Sequence, residues 1–343
     1  MAGLAFPVDA ILQTFSNDRR LLMAVFTPVS EQSLNALLAG FDLGTLVHFE
    51  GIASGIENTN YFVDTTQGRF VLTLFEKLQF NELPFYLELM RHLAEKGVAC
   101  PRPMADRRGQ ILHWCESKPA SLATRLKGGW QPNPTQTHCH IMGEAIAKAH
   151  LAVNDYAGTQ PNLRGLSWWR ATVPQILPFL DAQQAALLED ELAVQTTFAQ
   201  NARDKRLPCG AVHADLFRDN VLFEETDATP VLGGFIDFYF AGVDLFIFDL
   251  AVAANDWCIR LTETDSGQFD SAKLSALLDG YQRVRPLTPD EQAAWPLALR
   301  AAAYRFWVSR LYDWYLPRSA SMLTPKDPSH FERLLIERRR IAS

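Results

Sequence analysis

The chain has 343 residues, of which 48% are hydrophobic and 21% charged, enough apolar side chain for real cores across two lobes. Its formal net charge of −7 argues against nucleic acid as the main partner. Five scattered cysteines (Cys100, Cys115, Cys139, Cys209, Cys258), odd in number and without CxxC spacing, exclude a disulfide frame or a zinc site and read as buried thiols of a reducing, cytoplasmic compartment.

Residues 1–24 read as an extension. They lack a basic residue ahead of the apolar part, carry Asp9 inside it, and meet Arg19 and Arg20 after it, which is unlike a signal peptide. A short helix, a disordered arm and residues upstream of a start at Met23 all fit.

A first lobe spans 25–126. Ser30 caps a short predicted helix that runs to Leu38. A β segment begins at Leu46, residues 51–58 form a loop, strand resumes at 60–63, residues 65–68 turn, and a third strand covers 69–75. Residues 82–96 read as a helix with Leu83, Tyr86, Leu87, Met90 and Leu93 on one face and Gly97 at its end. Two further β segments lie near 111–115 and 120–126. The order β-β-β-α-β-β describes a mostly antiparallel sheet with one helix, an α+β arrangement. Gly51, Ser54 and Gly55 lie between two predicted strands, where glycines let backbone N–H groups approach phosphates closely; a plain hairpin turn has the same composition.

From 127 to 343 helical patterns dominate, at 135–153, 168–203, 244–260, 267–283, 288–315 and 328–340, with 212–249 as the one clear β region. The apolar run 235–254 contains Asp237, Asp244 and Asp249 and is too charged to span a membrane. His138, Cys139 and His140 lie too close together on a helix to face one metal.

The segment 212–249 carries the chemistry. Asp215 follows His213 by two residues, Asn220 comes five residues later, and Asp237 closes an apolar stretch after a predicted hairpin of 221–223 with 231–236. Phosphoryl transfer from ATP to an alcohol asks for this order. One aspartate meets the hydroxyl and can take its proton, and an amide and a second carboxylate supply hard oxygen ligands to Mg²⁺. An aspartate ending a strand is also a common turn residue, so the three gain weight only as a set. Arg218, three residues after Asp215, could reach the γ-phosphate as a catalytic cation, or pair with Asp219 or Asp244. Trp168, Trp169 and Arg170, with the aromatic and arginine residues of 304–312, offer walls for a small substrate or simply core.

The chain resembles the aminoglycoside-phosphotransferase-like kinases, and among them the bacterial-type homoserine kinases. The matching stretches are 55–61, 68–76, 82–85, 118–120, the Asp215 segment, and Asn255, Asp256, Trp257 and Cys258. The resemblance implies a protein-kinase-like bilobal fold. It implies a small antiparallel β lobe that covers ATP and a larger helical lobe. Asp215 would be the catalytic aspartate, and Asn220 and Asp237 the Mg²⁺ ligands. Gly51, Ser54 and Gly55 would cover the phosphates, and His213 and Asp249 would brace the catalytic loop. The implied reaction converts ATP and L-homoserine to ADP and O-phospho-L-homoserine, a step toward threonine. Thr73 stands where many relatives carry a phosphate-binding lysine. That leaves the cation to Arg218 or Lys77. A kinase for another small alcohol, such as an aminoglycoside, choline or a sugar, and a nucleotide-binding module without catalysis are the alternatives.

Overall fold

The computed structural model describes residues 27–53, 57–226, 229–260, 267–316 and 326–341. The expected extension 1–24, and Ser54 and Gly55 of the expected phosphate loop, therefore lie outside the described residues.

Helix α1 (Glu31–Leu38) starts where expected, with the Ser30 side chain accepting from the Ser33 N–H. Strands β1 (Leu46–Gly51), β2 (Asn58–Thr65) and β3 (Gly68–Phe75) follow, then α2 (Pro84–Glu95), β4 (His113–Cys115) and β5 (Lys118–Thr124). They form one five-stranded antiparallel sheet in the order β1-β2-β3-β5-β4. Along β2 the residues alternate buried and half-buried, as a sheet with one covered face requires. Proline at its first turn starts α2, and Gly97, at a φ of +82°, ends it in a conformation that a side chain would strain.

After β5 the chain turns at Gly128, where a Cβ would come within 2.4 Å of the Phe223 carbonyl oxygen. That close approach lets β6 (Gly129–Trp130) pair with β8 (Val221–Glu224), which pairs in turn with β9 (Val231–Phe235). A separate two-stranded ladder joins β7 (Cys209–Val212) to β10 (Gly242–Leu245). Helices α3 (Gln136–Ala152), α4 (Leu166–Ile176), α5 (Ala182–Asp204), α6 (Phe246–Trp257), α7 (Ser271–Val284), α8 (Pro289–Tyr315) and α9 (Ser329–Ile341) complete the second part.

Three differences from the sequence reading have local causes. The helix expected over 168–203 is two helices, because Pro178 sits in a short 3₁₀ turn after α4 and Asp181 then caps α5 by accepting from the Gln184 N–H at 2.8 Å. Strands β6, β7 and β10 were not foreseen, the last lying across the start of the helix expected from 244, since two to four residues give no usable alternation. Of the five free cysteines, expected to be buried, Cys209 is exposed, because it begins the edge of a two-stranded ladder.

The apolar interior forms two clusters. The smaller lies between α1 and the sheet and includes Leu34, Leu38, Val63, Leu72, Leu74 and Leu122. The larger runs through the helical part and takes in Phe75 and the buried face of α2 as well. Helices α3 and α7 cross at Gly143 and Gly280, where a Cβ would fall 2.1 Å from the Leu277 and His140 carbonyl oxygens respectively. Among the described residues no helix is long and apolar enough to cross a membrane.

Candidate active site

The loop after β7 carries Asp215, and buried hydrogen bonds hold its shape. Ala214 adopts a left-handed backbone with φ of 63°, which a residue with a side chain keeps only when its surroundings impose it. Asp249, at the start of α6, imposes it. Its Oδ1 accepts from the Ala214 N–H at 2.7 Å and its Oδ2 from the His213 N–H at 3.2 Å. The His213 Nε2 donates to the Ile236 carbonyl at 2.8 Å, tying the loop to the end of β9. His150 of α3 lies between Asp249 Oδ2 (3.2 Å) and the Tyr281 hydroxyl (2.8 Å). Burial pushes the His150 imidazole below its usual value. The neutral ring then donates from Nε2 to the carboxylate and accepts from the phenol at Nδ1.

The end of α6 braces the other side of the loop. Trp257 Nε1 donates to the Leu216 carbonyl at 3.1 Å. Asp256 accepts from the Arg218 backbone N–H at 2.8 Å and from its guanidinium Nε at 2.9 Å and Nη2 at 3.2 Å. Asn255 donates to the Leu299 carbonyl and accepts from Arg338. Of the two readings of Arg218, a phosphate cation or an ion-pair residue, the side-chain partners fit the second. Its fork meets Asp256 and the Pro132 carbonyl, and the carboxylate it pairs with is neither Asp219 nor Asp244.

Asn220 is brought to Asp215 by a single 3₁₀ turn, Arg218–Asn220. Its Nδ2 donates to the Asp215 backbone oxygen at 2.8 Å and to Oδ2 at 3.0 Å, which leaves its own Oδ1 as an acceptor. The Ile236 N–H donates to the Asn220 carbonyl at 2.9 Å, so the hairpin returns Asp237 to the same loop. Asp237 itself is left-handed, at φ 63° and ψ 60°. The aspartates feel one another. Burial first, then the charges of Asp215, Glu57 and Asp219, push the Asp237 carboxyl up to about 7. Burial also raises Asp215, against the pull of the Arg305 cation. A cation placed here relieves that strain, and the donors present are the hard oxygens that Mg²⁺ accepts. Among the described residues no group of three or more His, Cys, Asp or Glu could hold a metal alone, so nucleotide phosphates and water would have to complete its shell.

Above this site Gly51 ends β1 opposite Tyr61, a strand position and not the loop position expected for it. Glu57, on the return side of the same hairpin, acts electrostatically on Asp237 and Arg305. Thr73 donates to Asn60 Oδ1 at 2.7 Å and also meets the Tyr239 hydroxyl, so a neutral hydroxyl–amide cluster occupies the usual lysine position. Lys77 sits beside Glu57 at 3.6 Å and is 41% exposed. His138, singled out as a poor metal ligand, bonds Thr135 and Glu225.

One functional residue escaped the sequence reading. Arg305, midway along α8, is 3% exposed and its Nη1 stands 3.4 Å from Asp215 Oδ1. Ninety residues separate the two. The arginine spacing in 304–312 had marked the region without singling out this residue. Trp169, from the other expected wall, packs edge-on against Tyr304 at 5.3 Å, and Trp168 likewise against Tyr312 at 5.9 Å.

A braced loop aspartate, an asparagine five residues on, and a second aspartate on a returning hairpin beneath an antiparallel sheet define a small-molecule phosphotransferase of the bilobal kinase type. The chain belongs to the family described as "Phosphotransferase enzyme family", whose model matches residues 48–287. Within it, similar proteins are homoserine kinases. That of Polaromonas naphthalenivorans (strain CJ2) is 52% identical over 316 residues, covering 92% of this chain and 98% of its own. That of Paraburkholderia phytofirmans (strain DSM 17436 / LMG 22146 / PsJN) is 52% identical over 320 residues, covering 92% and 96%. Two solved structures share the fold at low identity. An amicoumacin kinase matches with a TM-score of 0.64 at 16% identity over 91% of this chain and 93% of its own. A microcompartment-associated aminopropanol kinase matches with 0.63 at 16% over 91% and 97%.

Proposed function

We propose that this chain transfers the γ-phosphoryl group of ATP to the hydroxyl of L-homoserine, giving ADP and O-phospho-L-homoserine. The observation that carries the reading is the 52% identity to homoserine kinases over nearly the full length of both chains, together with an intact Asp215, Asn220 and Asp237. Since ATP is the phosphoryl donor, the cytoplasm is the compartment for the reaction.

In this reading Asp215 orients the substrate alcohol. The hydroxyl oxygen bonds to the γ-phosphorus as the bond from that phosphorus to the ADP oxygen breaks, and the hydroxyl proton passes to the Asp215 carboxylate. Asn220 holds Asp215 in place through Nδ2. Asn220 Oδ1 and the Asp237 carboxylate would be the protein ligands for Mg²⁺, which when bound would neutralise the developing phosphate charge. Gly51, with Ser54 and Gly55 further along the chain, would cover the phosphates. Arg218 acts at one remove, by fixing the loop through Asp256. Thr73, with no charge of its own, leaves phosphate neutralisation to the metal and to backbone donors.

Measuring ADP release with L-homoserine, L-serine, L-threonine, choline and kanamycin tests the proposal. L-Homoserine should show the highest kcat/KM by about 10-fold or more. Preference for choline or kanamycin would transfer the assignment to another small-molecule kinase, and ADP release with none of them would leave only nucleotide binding.

A further inference from the structure

Among the described residues the three buried arginines are held to different degrees. Arg300 makes three contacts to Glu191 at 2.6–3.2 Å. Arg338 donates to Asn255 and to the Gly267 carbonyl, both at 2.8 Å. Among the described residues Arg305 meets a single oxygen, at the long distance of 3.4 Å, and its buried Nε meets none. A buried guanidinium with unused donors is costly to keep, so its retention calls for a ligand.

The group is also pre-set for one. Its plane lies 3.7 Å from the Phe306 ring centroid and 5.2 Å from that of Phe240, which fixes it without using hydrogen bonds. Burial and the nearby charges of Arg164 and Arg310 lower its pKa, to about 10, so it remains a cation at neutral pH. Three guanidinium groups act on one another here, and of the carboxylates that face Arg305, Asp215 is reserved for the substrate hydroxyl while Glu57 acts on it through charge. The unused donor edge of Arg305 suits an anion.

We propose that Arg305 receives the α-carboxylate of the amino-acid substrate on its Nε edge and is the residue that makes this enzyme select an amino acid over an amino alcohol. The inference rests on the homoserine reading above. Geometry favours it. Nη1 touches the aspartate that must face the hydroxyl, while the Nε edge lies a few ångströms away. A four-carbon hydroxy acid spans roughly 5 Å between its hydroxyl and carboxylate, from ordinary bond lengths. A carboxylate on that edge forms a charge-assisted, fork-shaped pair that lysine cannot reproduce. Arg164 and Arg310 supply the surrounding field.

The discriminating compound is 3-aminopropan-1-ol, which is homoserine without its carboxylate. The enzyme and its Arg305→Met and Arg305→Lys variants are assayed with both alcohols at saturating ATP. The ratio of kcat/KM for homoserine over aminopropanol should fall about 100-fold in Arg305→Met, chiefly through the homoserine KM, with the KM for ATP little moved. Arg305→Lys should recover only part of the ratio. A parallel loss for both alcohols, with the ratio preserved, would overturn the proposal and make Arg305 a partner of the phosphoryl group or of Asp215 alone. Should the methionine variant fail to fold, the lysine variant and the wild type decide. L-Homoserinamide, which lacks the carboxylate charge, should inhibit the wild type about 100-fold more weakly than L-homoserine binds, and equal affinity overturns the claim. Absence of homoserine turnover in the wild type would defeat the functional reading itself, and this inference with it. Turnover with an unchanged ratio in the variants defeats the inference alone.

Discussion

Asp215 and Arg218 sit three residues apart and are predicted to fail in different ways. Asp215→Asn keeps the size and the hydrogen bond with Asn220 but cannot accept a proton. Turnover should drop about 1000-fold while ATP still binds, as checked by single-substrate titration beside a rate assay. Near-normal turnover would remove Asp215 from the reaction. Arg218→Ala instead strips the partner from Asp256, a half-buried carboxylate that also holds the loop N–H. Its main effect should be a loss of roughly 2–4 kcal/mol of stability in denaturant melts. Lowered kcat with unchanged stability would return Arg218 to the phosphate. The sequence made Asp215, Asn220 and Asp237 legible because they lie within one short segment whose strands could be recognised. It could not reveal Asp256 as the partner of Arg218, or Arg305 as the cation at Asp215. Those pairings span 38 and 90 residues and depend on how α6 and α8 pack, which local periodicity does not encode.

Between elements, the catalytic loop is tied to its scaffold by a chain of buried polar groups. Glu291 and Arg285 pair at the start of α8 and end of α7, Arg285 donates to the Tyr281 hydroxyl, and Tyr281 meets His150, which meets Asp249. His150 must stay neutral there, since burial holds its pKa below the ordinary value near 6.5. Between that lowered value and 6.5 the unfolded chain binds a proton that the native one does not. This contribution to stability is therefore complete above pH 6.5 and shrinks as pH falls below it. Asp215 and Asp237 act oppositely, because their raised pKa values make the native state bind protons more readily than the unfolded chain as pH falls. The test is thus the difference between wild type and His150→Gln, in which the aspartates cancel. The Tm advantage of the wild type should narrow from pH 7.5 to pH 5.5. A constant gap would show that His150 keeps its proton state throughout. The sequence reading described these elements well where their patterns were long, as with α2, α3 and α8. It joined α4 and α5 because amphipathic spacing carries on across Pro178, whose missing donor is a local fact that the pattern averages away.

For the whole molecule, the division at residue 127 is a boundary of sequence character, whereas the packing follows another line. The interior of the helical part extends upward to include Phe75 and the α2 residues Tyr86, Leu87, Leu89, Met90 and Leu93. Rings continue the contact, with Tyr239 standing 5.0 Å from Phe75 and 6.0 Å from Tyr86. So do hydrogen bonds, from the Phe235 N–H to the Ala99 carbonyl at 2.9 Å and from His92 Nε2 to the Ala152 carbonyl at 2.8 Å. The sheet keeps a separate core with α1. Mechanically, then, α2 goes with the helical part, and the five-stranded sheet is the piece with its own interior. A fragment of residues 127–343 would lack these six apolar side chains and expose the core surface they cover. At about 2 kcal/mol for each buried large side chain, the loss is on the order of 10 kcal/mol. That equals the whole stability of a typical domain, about 5–15 kcal/mol. The fragment should show no cooperative thermal transition and should bind a hydrophobic dye. A sharp melt within a few degrees of the full chain would mean that the lobes fold independently and that α2 contributes little to the larger core.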